Sequence, residues 1–285
     1  MLWGKLRTSQ GKKEKRLPIA LRDFIKTQFE VDPVPFSRIA DTTVREYAND
    51  QFLRLQMLDV PDGRCQVEPH NQSRFNMANV DVAMTFFKEL VILVKHGHLT
   101  IAQIKILTFY NAQKRRLINA LVDLGEELKL TANELVDVVH TSDSFQGQEA
   151  DIIILDTTVC SYNGHGTLGH VGDERKFNVA LTRAKECLFV IGNLKILDSH
   201  IIAEQERVEC VVDLLQTVQR QRSYKKFTST AKPENIVGAK FDYQVKKEEE
   251  AVDVEGETAV EDVGNAITGM HFGSNDAGPA FPRKG

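Results

Sequence analysis

The sequence predicts an α/β fold, a parallel sheet with helices on both faces. Three observations predict it. Short apolar runs at Ile104 to Phe109, Asp151 to Asp156 and Cys187 to Ile191 alternate with amphipathic helical stretches. The run DIIILD is apolar enough to be buried on both faces, as strands of a parallel sheet are. Turn and cap residues stand between the runs where strands and helices must join.

Taken in order, residues 1–35 mix charge with Pro18, Pro33 and Pro35 and read as an irregular lead-in. Val44, Tyr47, Phe52, Leu55 and Leu58 fall at helical spacing and predict an amphipathic helix over 42–58, with Pro61-Asp62-Gly63 as a turn. Val80, Met84, Phe87, Leu90, Val91 and Val94 predict a second helix from Asn79 to Lys95, stopped by Gly97. A strand at 104–109 then precedes a helix from Asn111 to about Leu128. Val136 to Val139 and Asp151 to Asp156 are the next strands. Asp173 caps a helix running through Ala184, and Cys187 to Ile191 is the last strand of the set. Ala203 to Arg222 forms one more amphipathic helix. The domain is thus expected over 36–223, followed at 224–285 by a disordered acidic tail whose charge is high and whose apolar content is low.

A chain of 285 residues with 42% hydrophobic and 27% charged residues can bury a sizeable core. The net charge of -4 averages unlike segments: residues 1–16 hold six Lys and Arg against Glu14, whereas 246–262 hold two Lys against eight Asp and Glu. The four cysteines are scattered without a C-x-x-C pair, which favours reduced thiols and an intracellular location, cytoplasmic or nuclear. No apolar run reaches the ~18 residues that span a bilayer, so no membrane partner is expected. No metal site is expected either: His96 and His98 suit a helix end, and His165 and His170 lack a carboxylate at ligand spacing before Asp173.

Ligands of parallel sheets sit beyond the carboxyl ends of the strands, so the inter-element loops are where chemistry is sought. Thr108 to Lys114 places Tyr110 and Gln113 at a strand end before a basic helix start, able to stack on a ring and bind an anion, or simply to cap and pack. Thr141 to Asp151 offers small hydroxyls, a glycine at 147 that lets backbone approach a ligand, and Glu149, which can accept from sugar hydroxyls. A polar connection explains the hydroxyls equally well, and the Gln-Gly-Gln-Glu run less well. Arg175 to Lys185, drawn as a helix, buries Phe177, Ala180, Leu181 and Ala184, and places Asn178, Thr182 and Lys185 on a neighbouring face beside Arg183. A guanidinium projected from a rigid helix suits a γ-phosphate, although a solvated basic face is the plainer reading of any one such helix.

In this order the three segments resemble motifs IV, V and VI of superfamily 1 helicases, in the up-frameshift and senataxin branch. Ser73 to Asn76, Ile104 to Thr108, DIIILD and Phe189 to Asn193 agree with it, and the resemblance covers about residues 65–195. It implies the second of two RecA-like lobes that close on ATP and Mg2+ while single-stranded RNA or DNA crosses both. Arg183 matches the arginine finger. Gln113, Lys114, Gly147 and Glu149 match nucleotide-contacting positions, and Tyr110, Thr141, Ser144, Asn178 and Thr182 match the nucleic-acid track. Phe109 replaces the proline usual before the motif IV tyrosine, and Lys114 replaces an arginine, keeping the charge but losing the bidentate fork. No G-x-x-x-x-G-K-[ST] occurs. The resemblance therefore implies a lobe that shares ATP and Mg2+ with an N-terminal RecA-like lobe supplied by the same gene or another chain. The alternative is a non-catalytic nucleic-acid or protein interaction module derived from such a lobe.

Overall fold

The computed structural model describes residues 17–29, 52–160, 168–196 and 209–227. Where the sequence predicts an irregular lead-in, helix α1 (Ile19–Phe29) forms, because Leu21, Ile25 and Phe29 make one buried stripe. Strand β1 (Leu55–Asp59) stands where a helix is expected, and residues 42–51 lie outside the described residues. Parallel neighbours on both sides of β1 bury all five residues, and that burial overrides the helical spacing of Phe52, Leu55 and Leu58.

Strands β2 (Gln66–Val67) and β3 (Arg74–Phe75) form a small antiparallel pair apart from the main sheet. Helix α2 (Met77–Lys95) starts at Asn76, whose side chain accepts from the Asn79 amide, and ends before Gly97, whose φ of +73° suits a helix stop. Strand β4 (Ile104–Thr108) leads into α3 (Asn111–Leu128), then into the short α4 (Ala132–Leu135), capped by Thr131 and Glu134.

The strand expected at 136–139 is β5 (Val139–Thr141); Val136 instead caps α4 and is 81% exposed. Strand β6 (Ala150–Asp156), helix α5 (Glu174–Leu181) and strand β7 (Ala184–Gly192) follow. The last elements are α6 (Glu209–Gln221) and β8 (Tyr224–Lys226). Residues 203–208 of the expected last helix and 228–285 of the expected tail lie outside the described residues. β8 itself stands inside the segment read as tail, since it pairs with β1.

The six strands form one parallel sheet in the order β5-β4-β6-β7-β1-β8. Alternation along β6 divides the core. Ile152 and Ile154 join α1, α2 and α3 on one face, whereas Ile153 and Leu155 join α5 and α6 on the other. On the first face Phe29, Phe86 and Phe189 cluster with centroids 4.7–6.0 Å apart, Phe29 stacked on Phe189 and Phe86 inclined to both. Each such fully buried ring contributes about 2–3 kcal/mol through burial. The expected α/β class, with helices on both faces, is the observed one.

Candidate nucleotide-facing site

The three candidate segments do not share one edge of the sheet. β4 and β6 run parallel with Thr108 opposite Asp156, so Tyr110, Gln113 and Lys114 lie at the carboxyl ends of the strands. Ala150 pairs with Ala184 at the other end, so Gly147, Glu149 and Arg183 lie at the amino ends. The seven residues of β6 separate the two groups by about 20 Å. The carboxyl-end rule therefore holds for the first segment and for the start of the second, where Thr141 ends β5 opposite Thr108. Gly147, Glu149 and Arg183 lie at the other edge because each stands shortly before a strand.

At the carboxyl end, Gln113 is fully buried and its amide is consumed. Nε2 donates to Asp156 Oδ2 at 2.5 Å and to the Asn76 carbonyl at 3.1 Å, while Oε1 accepts the Asn76 amide at 2.8 Å. Asp156, also fully buried, accepts in addition from Asn79 Nδ2 at 2.8 Å and the Thr158 amide at 2.7 Å. Desolvation pushes the Asp156 carboxyl up to about 6, and those N–H donors oppose the shift. Sequence reasoning missed this network, although Asn76, Asn79 and Asp156 are polar residues at the ends of apolar segments.

Tyr110 is also buried rather than open to a base. Its hydroxyl accepts the His170 amide at 3.0 Å and donates to the Leu168 carbonyl at 3.4 Å. The basic start of α3 is largely committed as well. Arg115 and Arg116 donate to Glu68 at 2.6 and 2.8 Å, and Arg116 lies 3.6 Å over the Phe75 ring. Hydrogen bonds from Arg116, Asn71 and Arg115 outweigh desolvation and hold the Glu68 carboxyl down at about 2. Lys114 is half-buried.

Thr141 and Ser144 close a turn on each other: the Thr141 amide donates to Ser144 Oγ at 3.0 Å, and the Ser144 amide donates to Thr141 Oγ1 at 3.1 Å. Ser144 is exposed, and Lys176 of α5 reaches the adjoining Asp143 at 3.0 Å. Asn178 and Thr182 are half-buried, but the helix expected to continue through Ala184 ends at Leu181. Thr182 turns its hydroxyl back onto the Asn178 and Val179 carbonyls at 3.0 Å each, and Ala184 already belongs to β7. Lys185 therefore leaves the predicted helical face.

At the amino end the second and third segments meet. The Ala150 amide donates to the Arg183 carbonyl at 3.1 Å, and Arg183 Nη1 donates to the Gln148 carbonyl at 3.3 Å. Arg183 Nε donates to the Val179 carbonyl at 2.8 Å, leaving the guanidinium half-exposed beside the exposed Gly147 and Glu149. Gly147 has φ +82°, and a Cβ placed on it would meet nothing within 4 Å. Glycine is needed there for its backbone conformation, and the space over it is open.

A register shift between Ala150 and Ile152 sets two residues of β6 against three of β7, just after Arg183. Bulges of this kind re-aim neighbouring side chains. Arg54 braces it, donating at 3.0 Å to both the carbonyl and the carboxylate of Glu186. Sequence reasoning passed over this pair, although a glutamate at the head of an apolar strand is a signal that a buried cation stands opposite.

Among the described residues no three His, Cys, Asp or Glu side chains converge as metal ligands, and no helix is long and apolar enough to cross a membrane.

The sequence pattern of a family described as AAA domain (AAA_12) matches residues 4–195. Helicase sen1 of Schizosaccharomyces pombe is 33% identical over 152 residues, covering 53% of this chain and 8% of that protein. The regulator of nonsense transcripts 1 homolog of Neurospora crassa is 37% identical over 129 residues, 45% of this chain and 11% of that protein. The probable helicase senataxin of Homo sapiens is 32% identical over 141 residues, 50% of this chain and 5% of that protein. The chain thus spans about a tenth or less of the length of these relatives. The matched pattern and the six-stranded parallel sheet agree: the chain belongs to the AAA_12 family, the C-terminal RecA-like part of superfamily 1 helicases of the up-frameshift and senataxin type, with a P-loop NTPase-type fold.

Proposed function

We propose that this chain is the second RecA-like lobe of an ATP-dependent RNA or DNA helicase, supplying Arg183 as an arginine finger to a nucleotide held mainly by an N-terminal lobe. The observation that carries the reading is the convergence of Arg183 with Gly147 and Glu149 at the amino ends of β6 and β7. A half-exposed guanidinium, an open glycine and an exposed carboxylate fit the edge of a nucleotide: Arg183 toward the γ-phosphate, Gly147 by backbone approach, Glu149 toward the ribose.

ATP supplies the phosphoryl group when bound, and the chain's own part is positional and electrostatic. Arg183 adds fixed positive charge, the bulge braced by Arg54 directs it, and Gly147 keeps the approach clear of side chain. Mg2+, which the helicase ATPase family uses with ATP, would enter with the nucleotide held mainly by the first lobe. Gln113 belongs to the buried scaffold of the lobe. Lys114, half-buried at the opposite edge from Arg183, has no part in the nucleotide contact of this reading. The nucleic-acid track is assigned to Ser144 and Thr141 with Asn178 on α5 and Thr182 at its end.

Hydrolysis tests the reading. The chain alone is expected to turn over no ATP, with or without single strands. Fused behind a first lobe that carries a phosphate loop, it is expected to hydrolyse ATP, and Arg183→Ala is expected to lower turnover about a thousandfold. Turnover unaffected by Arg183→Ala would sink the assignment. A lobe that binds single strands without ever supporting turnover would favour the non-catalytic module instead. Binding to single-stranded RNA or DNA, read by fluorescence anisotropy, is expected to be weak and to fall steeply with added salt. Salt-independent binding, or none, would remove the track.

A further inference from the structure

We infer that Tyr110 is a positioning residue for Arg183, acting through its phenol hydroxyl and helix α5 and not by stacking on a base. The path begins where β4 ends. Phe109 lies against Phe177 of α5 with centroids 6.0 Å apart and planes inclined by 23°, both rings being buried. Tyr110 follows, its hydroxyl taking the His170 N–H at 3.0 Å and giving its proton to the Leu168 carbonyl at 3.4 Å. The His170 ring lies 5.1 Å from the Tyr110 ring, and the Arg74 guanidinium lies 5.9 Å from that ring's centre.

The contact leaves no slack. Gly169 has φ +56°, and a Cβ on it would stand 2.4 Å from the Tyr110 hydroxyl and 2.9 Å from Arg74. The turn Gly169–Gly172 therefore sits directly on the phenol. From that turn the chain passes at once into α5, since the Asp173 amide donates to the His170 carbonyl and Asp173 Oδ1 caps the amides of Arg175 and Lys176. One eight-residue helix later, Thr182 ends the helix and Arg183 follows, tied to β6 through Ala150.

The helix is thus held at its amino end by Phe109 and Tyr110, and at its carboxyl end by the sheet. A shift or rotation of α5 at the Tyr110 end would carry Arg183 with it. The inference rests on Arg183 being the working residue of the lobe, but its test reads the geometry alone and needs no nucleotide. A buried ring whose hydroxyl makes two bonds to backbone has little left to offer a base.

The test is Tyr110→Phe in the full 285-residue chain, labelled with 15N-arginine, the Arg183 Nε–H signal being identified by its loss in Arg183→Lys. That proton donates to the Val179 carbonyl. Tyr110→Phe is expected to shift the signal and to speed its solvent exchange about five- to tenfold, as the loss of one buried hydrogen bond would. Ile25→Val, which thins the core on the opposite face of the sheet, is the matched control and is expected to leave the signal in place. An unchanged Arg183 signal in Tyr110→Phe would overturn the inference, as would an equal shift in Ile25→Val. Loss of single-strand binding in Tyr110→Phe with the Arg183 signal unmoved would return Tyr110 to the nucleic acid. If Arg183→Ala leaves hydrolysis intact while Tyr110→Phe still moves the signal, the finger assignment fails and the positioning stands.

Discussion

Asp156 shows how one side chain holds several elements in register. Its carboxylate is buried at the end of β6, and the groups that hold it are N–H donors from α2, α3 and the following loop. Burial raises its pKa from the ordinary 3.8 to about 6, so its contribution to stability is full below the ordinary value and is lost as pH rises through about 6. Urea midpoints of the wild type and Asp156→Asn, compared from about pH 4 to pH 7, are expected to show the wild type's advantage shrinking as pH rises. A constant difference would contradict the assignment. Glu68 runs the other way. Its pKa is lowered to about 2, so the stability from its arginine pairs is present above the ordinary 4.5 and is lost as pH falls toward 2. Glu68→Gln is expected to flatten the acid branch of the unfolding curve. At this scale the sequence shows which polar residues are unusual but not what they touch. Tyr110 and Gln113 read equally well as ligand contacts or as packing, and their burial depends on Leu168, His170 and Asn76, which no local pattern brings near.

The elements differ in how far local pattern determines them. Helix α2 is legible from its apolar spacing, and β6 from four consecutive branched or leucine residues, because each signal lies within the segment. β1 is not legible, because Phe52, Leu55 and Leu58 carry helical spacing and the deciding contacts come from β7 and β8. The premature end of α5 is equally non-local, since the Arg183 carbonyl is claimed by the Ala150 amide. The glycines at the two ends of this site give a graded test. Gly147→Ala is expected to cost about 1–2 kcal/mol, from backbone strain at φ +82° with open space around it. Gly169→Ala adds a collision with Tyr110 and Arg74 to similar strain and is expected to lower the melting temperature more. Thermal unfolding of both variants decides it, and the reverse order would mean that the turn on Tyr110 is looser than its distances imply.

The described residues form a parallel sheet between two helical layers, and the candidate ligand edge is set by which loops precede strands and which follow them. The fold class and the motif order were readable from the chain. The edge was not, because it depends on strand direction and pairing. The far edge of the sheet extends past residue 223 into β8, where the Met57 amide donates to the Ser223 carbonyl and the Phe227 amide to the Asp59 carbonyl. A chain ended after Ser223 is therefore expected to melt below one ended after Phe227, and equal melting temperatures would make β8 dispensable.

The most direct test of Arg183 as a finger is calorimetric association of this chain with a first lobe carrying a phosphate loop, in MgADP and in MgADP with aluminium fluoride. A transition-state analogue should tighten the pairing about a hundredfold or more if this lobe supplies charge at the transferred phosphoryl group. The wild type is expected to show that tightening and Arg183→Ala to lose it, with the MgADP affinity little changed. Equal tightening in both proteins would contradict it.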